Sequence, residues 1–178
     1  MPITLLILSL FLLFYAVFYF LQSTLRGAIY YPTTLHNVEL MLKIADLKPN
    51  QNIADIGSGD GRIVIACAKQ NIYATGYEIN PLLVFLSRYK IRNAKLEKYA
   101  KIKWESFWKI DFKNFDAVFI YGIPYIMNEL ENKLKQELKP ESKIISNIFK
   151  FPNWKPKYSL EDKVHLYILK NKKATART

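Results

Sequence analysis

The chain has 178 residues, 51% of them hydrophobic and 15% aromatic, and it carries 26 Lys and Arg against 15 Asp and Glu for a net charge of +11. That length and apolar content suit one folded domain and exclude a chain too short to bury a core. A lone cysteine, Cys67, excludes an intrachain disulfide, and its setting in RIVIACAKQ is that of a small buried hydrophobe.

Taken from the N-terminus, residues 1–25 hold no charged side chain, and ITLLILSLFLLFYAVFYFLQ (Ile3 to Gln22) is long enough as a helix to cross roughly 30 Å of hydrocarbon. The segment lacks the basic start and small-residue cleavage site of a signal peptide. It predicts one transmembrane helix, an anchor over 1–25 meeting the bilayer through residues 3–25. Tyr15, Phe18, Tyr19 and Phe20 suit the membrane interface, and the positive charge lies only from Arg26 onward. A single-pass topology follows, with the N-terminus outside and the rest cytoplasmic, where the excess charge favours the anionic inner leaflet. Neither a nucleic acid nor a metal is expected as a partner.

Residues 26–32 read as a connector, 33–170 as the folded domain and 171–178 as a basic tail. TLHNVELMLKIADL places Leu35, Val38, Leu42 and Ala45 at helical spacing. NIADIG (52–57) is a short apolar strand, RIVIACAKQ a helix, and TGYEI (75–79) a second strand. Asn80 then caps, and Pro81 opens, the helix PLLVFLSRYKIRNA. KIKWE (101–105) and DAVFIYG (116–122) are the third and fourth strands. PYIMNELENKLKQEL follows as a helix with Glu129, Lys133 and Glu131, Lys135 as outward i,i+4 pairs. SKIISNIF (142–149) is a fifth strand, and KVHLYILK (163–170) closes an edge. Alternation of this kind predicts an α/β fold, a Rossmann-like, doubly wound and mostly parallel sheet with ligands beyond the C-terminal strand ends.

The turn GSGDG decides the ligand class. A dinucleotide turn needs a third glycine where Arg62 stands, and Asp60 would face a pyrophosphate across a poorly screened crevice. The phosphate-loop pattern GxxxxGK[ST] is absent. S-adenosylmethionine (SAM) has no phosphate. It offers an ammonium, a sulfonium and a ribose diol, so it wants carboxylates. Asp55 can neutralise the ammonium, Gly57 and Gly59 let the backbone approach the methionyl part, Gly61 permits tight entry into the helix, and Glu78 can accept both ribose hydroxyls. Ser58, Asp60 and Asn80 complete the candidate set around them. Glu105, Ser106 and Phe107, after the third strand, are candidates for the adenine edge, and Trp104 and Trp108 flank them.

ADIGSGDGRIVIA, GYEINPLLV, FWK, YGIP followed by MNELENKL, and IFKFPNW together resemble the class I SAM-dependent methyltransferases. Within that class they resemble the membrane-anchored mitochondrial protein lysine methyltransferases that modify the c-subunit of ATP synthase and the adenine nucleotide translocase, and their prokaryotic relatives. The resemblance runs from about Tyr31 to Pro156. It implies SAM binding by Asp55, Gly57, Gly59, Gly61 and Glu78, and an active site at Tyr121, Gly122 and Pro124. Two positions depart from the family pattern: Ser106 stands where an acid is usual, and Ile148 where an arginine is common.

The resemblance implies a membrane-anchored SAM-dependent lysine N-methyltransferase, with Tyr121 and Pro124 as catalytic candidates and a membrane-associated protein as the methyl acceptor. Tyr31 and Thr33 are candidates for a lid. Residue 123 is Ile, so the two-proline motif of base and glutamine methylases is missing. The alternatives are methyl transfer to a lipid, quinone or other small molecule, and a non-catalytic SAM-binding membrane module.

Overall fold

A computed structural model describes residues 3–26, 31–122 and 124–170. The chain divides into two units, Met1–Tyr31 and Pro32–Thr178. In the first, α1 (Ile3–Arg26) is one uninterrupted helix. Its apolar side chains from Leu5 to Tyr15 are about half exposed or more. Ser9 satisfies its hydroxyl locally by donating to the Leu6 carbonyl at 2.8 Å.

Among the described residues no helix is long and apolar enough to cross a membrane. The expected transmembrane helix is therefore not shown. The side chains of residues 16 and 19–26, residues 27–30 of the connector and the tail 171–178 lie outside the described residues.

The second unit runs α2 (Leu35–Ala45), β1 (Asn52–Ile56), α3 (Arg62–Ala68), β2 (Tyr73–Glu78), α4 (Pro81–Asn93), β3 (Ala100–Trp104), a single 3-10 turn (Phe107–Lys109), β4 (Ala117–Ile120), α5 (Pro124–Glu137), β5 (Lys143–Asn147), β6 (Tyr158–Leu160) and β7 (Val164–Ile168). The sheet order is β3-β2-β1-β4-β5-β7-β6. The first five strands are parallel, while β7 pairs antiparallel with both β5 and β6. The strand expected at the sheet's border is thus an inner one. Three residues, Tyr158 to Leu160, form the border instead, too few to leave a periodic signal.

The sheet is buried on both faces, which explains the near-continuous apolar runs of its parallel strands. Ile53, Phe119 and Ile145 face α2 and α3, together with Met41, Val64 and Cys67. Ala54, Val118, Ile120 and Ile144 face α5, packing on Met127, Leu130 and Leu134. Burial pushes the Cys67 thiol up, as its apolar surroundings predict. One expectation on α5 fails. Glu131 is not outward but 1% exposed. Its carboxylate accepts from Lys135 at 2.5 Å and from the Asn153 amide at 2.9 Å, so it pins the FPNW segment onto the helix.

The chain leaves β5 through Ile148, whose φ of 66° is left-handed. A β-branched side chain in that region costs about 1–2 kcal/mol. Replacing Ile148, 42% exposed, by Gly is expected to raise stability by about 0.5–1 kcal/mol, read as a higher urea midpoint with unchanged slope.

Candidate functional site

β1 lies between β2 and β4. The chain winds outward through β2 and β3, then returns to β4 and β5, so the C-terminal end of β1 is the point where the winding reverses and a crevice opens. Asp55 stands near the end of that strand, 3% exposed. Its Oδ2 is buried without a hydrogen-bond partner. Burial first, then the carboxylates of Glu78 and Asp60, push the Asp55 carboxyl up to about 8. A buried carboxyl with no partner and two acidic neighbours is a site waiting for a cation.

The glycine turn is drawn tight over β2. The amides of Gly57 and Ser58 donate to the Tyr77 carbonyl at 2.9 and 3.1 Å. Gly57 has φ +70°, and an added Cβ would meet nothing within 4 Å, so its backbone is bare toward open space. Ser58 Oγ is a second buried atom with no partner. Gly61, at φ +79°, leads into α3, where an added Cβ would lie 2.9 Å from Ser87 Cβ on α4. Glycine there lets the two helices approach.

Glu78 ends β2 at 8% exposure. Its Oε2 accepts from the Gly59 amide at 2.9 Å, and its Oε1 accepts from the amides of Ile79 and Asn80, both at 2.8 Å. One carboxylate thus ties the glycine turn to the start of α4. Asn80 caps that helix as expected, its Oδ1 accepting from Leu82 and Leu83. Asp60 neither caps nor stands free. Burial raises its carboxyl, but bonds from Arg62 at 2.8 Å and Lys90 at 2.7 Å outweigh that and hold it at about 2. The Arg62 guanidinium also donates to the Thr33 carbonyl. Thr33 is 6% exposed and so is fastened down rather than lid-like. Tyr31, in the other unit, is 73% exposed.

After β3, the Glu105 amide donates to the Glu78 carbonyl at 3.1 Å, which brings this segment beside β2. Ser106 caps the short turn that follows, its Oγ accepting from Trp108 at 3.4 Å, and Phe107 packs on Trp108 at 4.8 Å between ring centres. Trp104, not absorbed into the core, is 65% exposed and donates its indole N–H to the Ile79 carbonyl at 2.9 Å.

At the end of β4, Tyr121 is half-buried and stacks on Phe149 at 6.3 Å, with 28° between the rings. An added Cβ at Gly122 would strike Met127 Sδ at 2.5 Å. Pro124 opens α5, a position where its missing N–H is harmless. Ile123 lies outside the described residues.

Two contributors leave no mark in the local sequence pattern. Lys90 reaches Asp60 from thirty residues away, a contact that only the folded chain creates. Asn147, at the end of β5 and 1% exposed, accepts from Asn37 on α2 at 2.9 Å and leaves its own Nδ2 without a partner. Among the described residues no three His, Cys, Asp or Glu side chains are grouped as a metal site requires.

A family model described as the ANTKMT methyltransferase domain matches residues 55–158. The human lysine N-methyltransferase of the ATP synthase c-subunit is 41% identical over 125 residues, 70% of this chain and 53% of that protein. A protein-lysine N-methyltransferase of Saccharolobus islandicus (strain REY15A) is 32% identical over 149 residues, 79% of this chain and 92% of its own length. Among solved structures, an RNA methyltransferase from Salinibacter ruber in complex with S-adenosyl-L-homocysteine superposes with a TM-score of 0.75 at 28% identity, covering 79% of this chain and 95% of that one. The chain spans about half the length of the vertebrate c-subunit methyltransferases it matches.

Proposed function

The chain belongs to the ANTKMT methyltransferase family, and from that premise we propose that it is a SAM-dependent protein-lysine N-methyltransferase. The observation that carries the reading is the buried, partnerless Asp55 carboxyl beside the bare Gly57 turn. An ammonium group supplies the missing partner, and an open backbone supplies the approach. In this reading Asp55 binds the methionyl ammonium, and the turn from Gly57 to Gly61, with Ser58 Oγ, lines the methionyl part. Glu78 accepts the ribose hydroxyls on lone pairs that its three backbone donors leave free. Glu105, Ser106 and Phe107 face the adenine.

When bound, SAM supplies a methyl group made electrophilic by the sulfonium. The acceptor amine attacks that carbon in line. A C–N bond forms as the C–S bond breaks, and the sulfur keeps the electron pair. A lysine must first shed a proton, which from a reference pKa of about 10.4 costs roughly 4–5 kcal/mol at pH 7. The protein's task is therefore alignment and dryness rather than covalent chemistry. Tyr121, held by Phe149, offers an aromatic face to the methylated cation, and carbonyls around Gly122 and Pro124 orient the amine. The active-site assignment to Tyr121 and Pro124 belongs to the proposal.

Relatives are named for lysines of the ATP synthase c-subunit and of adenine nucleotide translocase. We extend the reading to a membrane-associated protein acceptor, with α1 as the anchor, the N-terminus outside and the remainder cytoplasmic. The exposed apolar side chains of α1 and the charge excess beyond Arg26 support it. The test is incubation of the full chain with methyl-labelled SAM and membranes, followed by organic extraction. Label is expected in protein, at lysines that gain methyl-mass steps by mass spectrometry. Label recovered in the solvent phase rejects the lysine reading in favour of a lipid or quinone acceptor.

A further inference from the structure

Helix α4 carries two apolar stripes where the fold uses one. Val84, Ser87 and Ile91 face the sheet and are buried. On the opposite side Leu82, Phe85, Leu86 and Tyr89 recur at i, i+3, i+4 and i+7 with exposures of 76%, 73%, 39% and 57%. A single exposed leucine is ordinary, whereas four large apolar side chains on one helix face are a surface kept for contact. Trp104 extends it. It follows Ile102 by two residues on β3 and so shares that residue's face, and Ile102 packs beneath α4, its carbonyl accepting from Arg88 at 2.8 Å.

The charge around this surface is strongly one-sided. From Pro81 to Trp104 there are seven Lys and Arg and one acid, Glu97, so more than half of the chain's +11 sits in this stretch. Lys90 is engaged by Asp60 and Arg88 by Ile102. The side chains of Arg92 and Lys95 form no hydrogen bond or ion pair among the described residues and remain available to an anion.

We propose that the outer face of α4 and Trp104 dock on an anionic membrane surface, the apolar stripe entering the headgroup boundary and the α4 to β3 cations contacting lipid phosphates. An apolar helix face with a basic surround is the pattern that binds in the interfacial plane. A nucleic acid would use the same cations and could stack on Phe85, Tyr89 and Trp104, but the leucines Leu82 and Leu86 beside them suit acyl chains rather than bases. The surface is contiguous with the candidate site, because Asn80, the cap of α4, donates its amide to Glu78. Docking there sets the orientation of the site toward the bilayer independently of α1, and it holds whatever the methyl acceptor proves to be.

Tyr89→Cys gives a labelling position on the stripe, since Cys67 is buried. The full chain, labelled there with an environment-sensitive fluorophore, is reconstituted in phosphatidylcholine vesicles and in vesicles with phosphatidylglycerol added, each with bromine on the acyl chains. In anionic vesicles the emission is expected to shift to the blue and to be quenched about twofold or more by the bromolipid. The effect should weaken in high salt and be lost with Leu82→Ser and Phe85→Ser together. An aqueous-like emission in both vesicle types, with no bromolipid quenching, overturns the proposal. So does a blue shift produced by single-stranded RNA and not by lipid.

Discussion

Glu78→Gln is expected to weaken SAM binding about a hundredfold or more, measured by calorimetric titration of the folded variant. The carboxylate has two kinds of partner to lose. Three backbone amides already donate to it, and in our reading two ribose hydroxyls add to them. A glutamine has one acceptor oxygen, and its NH2 must then face an amide donor in a site only 8% exposed. Hydrogen bonds to a charged group contribute about 1.5–3 kcal/mol each, and losing about 3 kcal/mol is roughly a hundredfold in affinity. The Gly59 turn also loses its tie to β2, so the cosubstrate-free fold should soften by about 1–3 kcal/mol. A variant that unfolds more easily yet binds SAM as the parent does would remove Glu78 from the ribose site and leave it only a structural part.

Asp55→Asn is expected to do the opposite to stability while also destroying binding. Its carboxyl stands at about 8 in the folded chain, against 3.8 for the unfolded group. The folded state therefore holds a proton that the unfolded state has released between those values. The stabilisation linked to that proton is fully present below pH about 4 and lost as pH rises through about 8. Removing the carboxylate should flatten this part of the stability profile and stabilise the ligand-free fold by about 1–3 kcal/mol at pH 8, since the penalty of a buried charge disappears. The melting temperature rises while affinity for the ammonium-bearing cosubstrate falls. In the parent protein the same linkage makes SAM affinity climb between pH 6 and 7, by up to about tenfold. Binding there releases a proton, detectable as a calorimetric heat that varies with the ionisation enthalpy of the buffer. Absence of that buffer dependence would mean that the cation does not pair with Asp55.

Much of the sheet was legible because parallel strands buried on both faces are written as short apolar runs, and Gly, Asn and Pro mark where they stop. The positions of Asp55, Gly57 and Glu78 were legible for a related reason: a strand end, a turn and the next strand end are local features. Long-range partners were not. An acid and a lysine four apart on α5 looked like a solvated pair, yet the FPNW segment folds over Glu131 and buries it. Asp60 stood among the candidates around the cosubstrate, and its pairing with Lys90 from α4 exists only in the folded chain. The stacking of Tyr121 on Phe149 joins the ends of two strands that are neighbours only in the folded sheet. In α1 the apolar composition settled the helix.

The two borders of the sheet are unlike in kind and alike in effect. On one side β3 ends the ladder with Lys101 and Lys103 exposed, and on the other β6 ends it after three residues. Bare strand borders invite neighbouring copies to continue the ladder, and ammonium groups or brevity make that continuation unfavourable. A chain docked on lipid as proposed above would meet its own copies often. In that proposed setting the blunted borders would let it crowd without polymerising.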